Sequence, residues 1–268
     1  MAVAERAIVS GEVKRSGLRR GIFRAGLGVV AVVLFPVLFG LGWSSFAPIF
    51  TRNVLIFLLR GMGATIGTAL LAIGLSLPLA TLLGMARATG TAPARWPSIG
   101  FIEVIRAVPV LLLILYISGR LQTIGLPPDP WIAVTIALTL YTAAVNAELI
   151  RAGIQSLDPG QYEAARSLGL SYWQAMRFVV LPQTFNRILP PLIAQFTTLL
   201  KDTSLGAIVG FLELQRRAQI VYQQPGFNAM AVLYVTALIY FILNYALGKI
   251  SEWLQRGRGA VPLPVDPA

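Results

Sequence analysis

The sequence contains neither cysteine nor histidine. Disulfides, thiolate or imidazole metal sites, and Ser-His-Asp or Cys-His catalysis are therefore excluded together. Carboxylates, lysine, arginine, amides and hydroxyls remain. Several of them fall at helical spacing: Glu103 with Arg106, Glu148 with Arg151, Thr142 with Asn146, and Gln195 with Thr198 and Asp202, Lys201 lying beside the last. Each sits within or at the edge of a long apolar run, where a polar side chain is costly and is a functional candidate by default. No paired carboxylates lie at one depth, which weighs against a membrane-embedded hydrolase.

The elements that must position these groups follow from composition. Of 268 residues, 56% are hydrophobic and only 12% charged, and the mean hydropathy is +0.72. A soluble fold of this length could not hide that much apolar surface. The chain reads as an all-α polytopic membrane protein. Six stretches are long enough to cross a bilayer core of about 20 helical residues: 22–42, 54–86, 98–118, 131–150, 188–210 and 229–248. The second is rich in small residues between Gly61 and Gly74, which permit close helix approach. The fifth opens with Pro190-Pro191 and is interrupted at Lys201-Asp202, so it should be broken or end early.

Charge placement fixes an orientation. With the N-terminus inside, the cytoplasmic segments hold fifteen Lys/Arg and the outer segments six, Arg106 remaining within the third span. That bias places both termini in the cytoplasm. It also makes the formal charge of +11 topological, which argues against a nucleic-acid partner. The N-terminal apolar stretch is too long for a cleavable signal.

The connection 156–183 is the most informative segment. Asp158, Pro159 and Gln161 form a helix start, and Gly169 suits a left-handed stop, so 159–168 should be a short helix. Ser171 and Gln174 repeat the capping pattern, giving a second helix over 172–180 that ends before Pro182. Tyr162, Ala165, Leu168, Trp173 and Phe178 should form its exposed apolar side. Such a hairpin could lie on the membrane surface or dock in a partner's groove.

Glu163-Ala164-Ala165, Gly169, Val179 and Leu181-Pro182, at these spacings, resemble the EAA loop of binding-protein-dependent ABC importer permeases, with valine where isoleucine is usual. The segments RAVPVLLL (106–113), Tyr141 to Gly169 and Leu199 to Leu214 resemble the polar amino acid permeases of the histidine/glutamine family. Ala107 replaces the family's usual glycine. The resemblance covers about 54–255 and implies a type I ABC importer permease fold, a five-helix core with one helix added before it. The domains would be a basic cytoplasmic segment 1–21, the added helix and outer loop 22–53, the importer domain 54–255, and a cytoplasmic tail 256–268.

The resemblance further implies a non-catalytic subunit of the bacterial inner membrane, moving a polar amino acid by alternating access. Its partners would be two ABC ATPase subunits, a second permease (identical or paralogous) and a periplasmic or surface-bound amino acid-binding protein. The chain has no GxxxxGK[ST] phosphate loop, so ATP-Mg would bind the partner ATPase and this chain would carry no cofactor or metal. ATPase coupling would rest on Glu163, Ala164, Ala165, Gly169, Leu181 and Pro182. An amino acid is a zwitterion and needs partners of both signs, or helix termini in their place. Thr142, Asn146, Gln195, Thr198, Lys201, Asp202 and Arg106 are the candidates for the substrate path, with Asn146 and Thr198 preferred. Glu103–Arg106, Glu148–Arg151 and Lys201–Asp202 read equally as ion pairs near the membrane interfaces. A secondary, ion-coupled transporter would instead use Glu148, Asp202 and Arg106 as a relay, but no inverted repeat is visible.

Overall fold

The computed structural model describes residues 40–90, 92–125 and 129–256, with Pro36 and Leu38. Most of the expected first span, 22–42, lies outside the described residues. Two short turns, Trp43–Phe46 and Ala47–Phe50, precede α1, Arg52–Thr89. There follow α2 (Ala92–Ala107), α3 (Val110–Thr123), α4 (Pro130–Gln155), α5 (Pro159–Ser167) and α6 (Tyr172–Ala175). A π-helical turn, Met176–Val180, runs into α7 (Leu181–Asp202), and a 3-10 turn, Thr203–Val209, into α8 (Leu214–Tyr222) and α9 (Ala229–Arg256). No strand occurs among the described residues.

The centre of the molecule is the parallel pair α1 and α4, which meet from Thr68 and Trp131 at one end to Arg87 and Glu148 at the other. Thr65, Thr68, Ala69, Ala72, Ser76, Ala80 and Gly84 make one buried small-residue stripe on α1. Alanines 133, 137, 143, 144 and 147 supply the facing surface on α4. Without large side chains between them the backbones approach closely. A Cβ at Gly84 would lie 2.7 Å from the Ala147 carbonyl oxygen and 3.0 Å from Ile150 Cβ. The polar members of the stripe find partners within α1 or across the bundle: Ser76 donates to the Ile73 carbonyl at 3.0 Å, and Trp131 Nε1 of α4 donates to Thr68 Oγ1 at 3.0 Å.

Three helices, Arg52–Thr89, Pro130–Gln155 and Ala229–Ile250, are individually long and apolar enough to cross a membrane. The expected third span does not form one helix. α2 and α3 meet at 103°, because Pro109 has no N–H to continue the ladder and pushes Val108 out of helical conformation. The expected fifth span also differs. Its helix begins at Leu181 rather than 188, carries Pro190 and Pro191 in its interior, and ends at Asp202. That ending is where the Lys201-Asp202 interruption was anticipated. The chain tightens there into the 3-10 turn, with Thr203 Oγ1 on the Leu200 carbonyl at 2.8 Å.

At the end of the bundle that carries Thr89 and Gln155, an ion network joins three helices. Arg87 on α1 reaches Glu103 on α2 at 3.3 Å and Glu148 on α4 at 3.5 Å. Arg151 Nε donates to Glu148 at 2.8 Å. The Glu148–Arg151 pair is the one anticipated from its spacing. Glu103 is paired with Arg87 instead of Arg106, whose side chain is exposed in the last turn of α2.

Candidate coupling and translocation site

The loop between α4 and α7 is built from local hydrogen bonds. Asp158 Oδ1 accepts from Gly160 N at 2.8 Å, and Pro159 needs no partner in the first turn. α5 ends where Gly169 takes φ +81°. There Leu170 N closes on the Ala165 carbonyl at 3.3 Å and Gly169 N on the Arg166 carbonyl at 3.0 Å. This is a Schellman stop, which a residue with a Cβ adopts only at a cost. Ser171 and Gln174 then form a reciprocal capping box.

Two expectations for this loop are corrected. The second helix does not stop before Pro182. α6 passes through the π turn directly into α7, and Pro182 falls in the first turn of α7, where a missing N–H disrupts least. Tyr162 and Ala165 are not on the exposed side. Ala165 is buried, and Tyr162 packs against Met85, Met176 and Val180. Leu168, Trp173 and Phe178 are exposed as expected, at 83%, 64% and 63%. Glu163 and Ala164 face outward beside them, Leu181 packs partly inward, and Pro182 is exposed.

The loop is fastened to the bundle at several points. Met85 of α1 lies in the same apolar cluster as Met176 and Val180. Tyr172 Oη meets Thr89 Oγ1, and Gln183 Nε2 donates to Gln161 Oε1 at 3.1 Å. Arg187 Nη1 reaches both the Ser156 carbonyl and, at 3.1 Å, its hydroxyl. These contacts join the loop that carries the exposed Leu168, Trp173 and Phe178 to α1, α4 and α7.

The polar residues of the proposed path separate into two groups. Thr142 and Asn146 are both 0% exposed on α4, and neither the Thr142 hydroxyl nor either amide atom of Asn146 has a hydrogen-bond partner among the described residues. Thr184 on α7 is likewise buried with an unpartnered hydroxyl. Its importance was not legible in the sequence, where it is one threonine among many. Gln195 and Asp202 are half-buried on α7, whereas Thr198 is exposed and its hydroxyl returns to the Ala194 carbonyl at 3.2 Å. Lys201 is exposed and forms no ion pair with Asp202 among the described residues.

At the opposite end of the bundle, sequence reasoning missed Glu213. It is 0% exposed. It caps α8 by accepting from Gln215 N at 2.7 Å and Arg216 N at 2.6 Å. It also accepts from the Tyr240 hydroxyl of α9 at 3.0 Å. Burial pushes its carboxyl above the usual glutamate range, while these donors pull it back. A glutamate just before an unbroken helical run is the only signal the sequence offered.

Residues 76–258 match the family described as binding-protein-dependent transport system inner membrane component. The probable glutamine ABC transporter permease protein GlnP of Bacillus subtilis is 36% identical over 208 residues, 77% of this chain and 95% of that protein. The glutamate/aspartate import permease protein GltK of Escherichia coli is 30% identical over 222 residues, covering 80% of this chain and 96% of its own. Among solved structures, an amino acid ABC transporter with histidines superposes with a TM-score of 0.69 at 31% identity, covering 76% of this chain and 95% of that one. The MetNI methionine transporter, at 20% identity and a TM-score of 0.67, shares the fold. The chain belongs to the binding-protein-dependent transport system inner membrane components, the membrane-embedded, non-catalytic permease subunits of ATP-driven importers.

Proposed function

We propose that this permease carries a polar amino acid inward across a bacterial inner membrane, with both termini and the 156–183 loop in the cytoplasm. The relatives named for glutamine and for glutamate/aspartate support that substrate class. The complex would contain two permease subunits, identical or paralogous, two ATPases that hold ATP-Mg, and an extracytoplasmic amino acid-binding protein. The observation that carries the reading is the loop elbow. α5 and α6 meet at Gly169, present Glu163, Ala164, Leu168 and Trp173 outward, and are wedged against Met85 of α1. A helix of this size enters a groove on a partner, and closure of the ATPases would drive it as a lever on α1, α4 and α7.

The unpartnered Thr142 and Asn146 favour a substrate path beside α4. A buried amide without a hydrogen bond costs about 1–3 kcal/mol, and a passing ligand with polar ends would satisfy it. Gln195, Thr198, Lys201 and Asp202 would line the opposite wall on α7, with Arg106 at the α2–α3 bend. The test is reconstitution with the ATPase and binding protein encoded beside it, measuring ATP hydrolysis and uptake across a panel of amino acids. Stimulation of both by one or a few polar amino acids is expected; uptake that persists without ATP and follows an ion gradient would instead identify a secondary transporter.

A further inference from the structure

Arg60 of α1 and Arg217 of α8 meet at the end of the bundle opposite the loop. Gly61 admits α8 there, because a Cβ would lie 2.7 Å from Arg217 Cδ and 2.9 Å from Leu214 Cα. Leu214 N donates to Thr65 Oγ1 of α1 at 3.3 Å, and Glu213 caps α8 and accepts from Tyr240 of α9. The Arg217 guanidinium stands 4.6 Å from the centre of the Phe57 ring, and its Nε donates to the Leu212 carbonyl at 2.9 Å. These contacts do not use its two terminal nitrogens.

Neither arginine is in an ion pair among the described residues. Glu213, four residues before Arg217, is buried and occupied by its own donors. The two positive charges therefore act on each other with no protein anion to offset them. Their surroundings are apolar and exposed. Ile56 lies one turn before Arg60 on the same face of α1, Leu59 precedes it, and Leu212 lies beside Arg217. A cation set among exposed apolar side chains in a membrane protein is costly without an anion beside it.

Depth can be counted along two helices. On α1, Arg60 is 27 residues from Arg87 of the ion network at the other end. That is about 40 Å at 1.5 Å per residue, against about 40–45 Å for a bilayer with its headgroups. On α9, Tyr240 sits near the middle of the span Ala229–Ile250. Thr65 shares its level through Glu213 and Leu214, and α8 runs from there toward the first turn of α9, where Val221 packs with Ala231 and Val232. Phe57, which carries the Arg217 guanidinium, is eight residues beyond Thr65 on α1. That is about 12 Å from mid-span, against a hydrocarbon half-thickness of about 15 Å. Both counts bring the guanidinium groups to the layer where hydrocarbon gives way to phosphate.

We propose that Arg60 and Arg217 hold the phosphate of an anionic phospholipid in the leaflet opposite the loop, with its acyl chains against Ile56, Leu59 and Leu212. Guanidinium groups pair with phosphate through parallel N–H···O bonds, and long side chains reach that layer from a deeper backbone. A zwitterionic lipid brings a cation of its own, so the anionic lipid is preferred. The site requires only that the chain cross a bilayer, whatever it transports.

The test places a reporter beside Arg60. Leu59→Trp is introduced into the assembled complex in phosphatidylcholine vesicles, and its fluorescence is taken as the difference from the parent. Brominated phosphatidylglycerol and brominated phosphatidylcholine are compared as quenchers. The anionic lipid should quench half-maximally at a mole fraction about tenfold lower than the zwitterionic one, and Arg60→Gln on the same background should narrow that preference about fivefold, the effect of one basic residue at a lipid surface. Arg60 forms no ion pair within the described residues, so co-elution of the ATPase should be unchanged. Equal quenching by the two lipids in Leu59→Trp overturns the proposal, and so does a preference that Arg60→Gln leaves intact. Loss of the preference on adding millimolar glycerol phosphate would mark a site for small soluble anions and overturn the lipid assignment.

Discussion

Gly169 is where the loop is most sensitive to a single change. Its φ is +81°, and nothing lies within 4 Å of the position a Cβ would occupy. A substitution there therefore acts through the backbone alone, without a steric clash to confuse the reading. A residue with a Cβ pays about 1–2 kcal/mol in the left-handed region, with valine at or above the top of that range because β-branching resists positive φ. Such a cost shifts the ratio of bent to unbent elbow about 5- to 30-fold. Asparagine tolerates the conformation better than alanine, so the expected order of function is Gly, Asn, Ala, Val. The assay is uptake per ATP hydrolysed in vesicles containing the assembled complex, with assembly checked by co-elution of the ATPase. Gly169→Val should insert and assemble but hydrolyse ATP with little uptake, and Gly169→Asn should retain most coupling. Normal uptake per ATP in Gly169→Val, or an Asn variant as defective as Val, would refute the reasoning.

Asn146→Ala removes no hydrogen bond, since neither amide atom has a partner, so assembly and basal ATPase activity should stay near the parent while uptake at limiting substrate falls; Thr198→Ala should behave alike. Parental uptake in both variants would place the path elsewhere. In intact cells, on this cysteine-free background, Thr123→Cys should react with a membrane-impermeant thiol reagent and Ser167→Cys should not, and the reverse pattern would invert the topology. Gly84→Val forces a side chain against the Ala147 carbonyl and should cost about 1–3 kcal/mol by overpacking, read as a lower thermal midpoint in detergent; an unchanged midpoint would show that α1 and α4 separate freely.

The sequence by itself determined much of this protein. Apolar run length specified the membrane class, because about 20 apolar residues match a bilayer core. Local chemistry specified the loop, because the Asp158 cap, the Gly169 stop and the Ser171–Gln174 box each satisfy backbone groups within a few residues. The small residues between Gly61 and Gly74 marked α1 as a helix built for close packing. What only the tertiary structure decided is everything set by a partner distant in sequence. Helical spacing offered Arg106 to Glu103, but the folded bundle brings Arg87 from another helix. The apolar character of Tyr162 and Ala165 pointed to the exposed side of the loop, but the fold buries Ala165 and packs Tyr162 against Met85, Met176 and Val180. Thr142 and Asn146 could be placed on one face, yet their lack of any hydrogen-bond partner emerges only when α4 is enclosed. Arg60 and Arg217, more than 150 positions apart in the chain, become neighbours because Gly61 admits α8 against α1. Periodicity and capping are short-range and can be read from a string. Ion pairing, burial and polar satisfaction depend on which surfaces meet, and the fold alone specifies that.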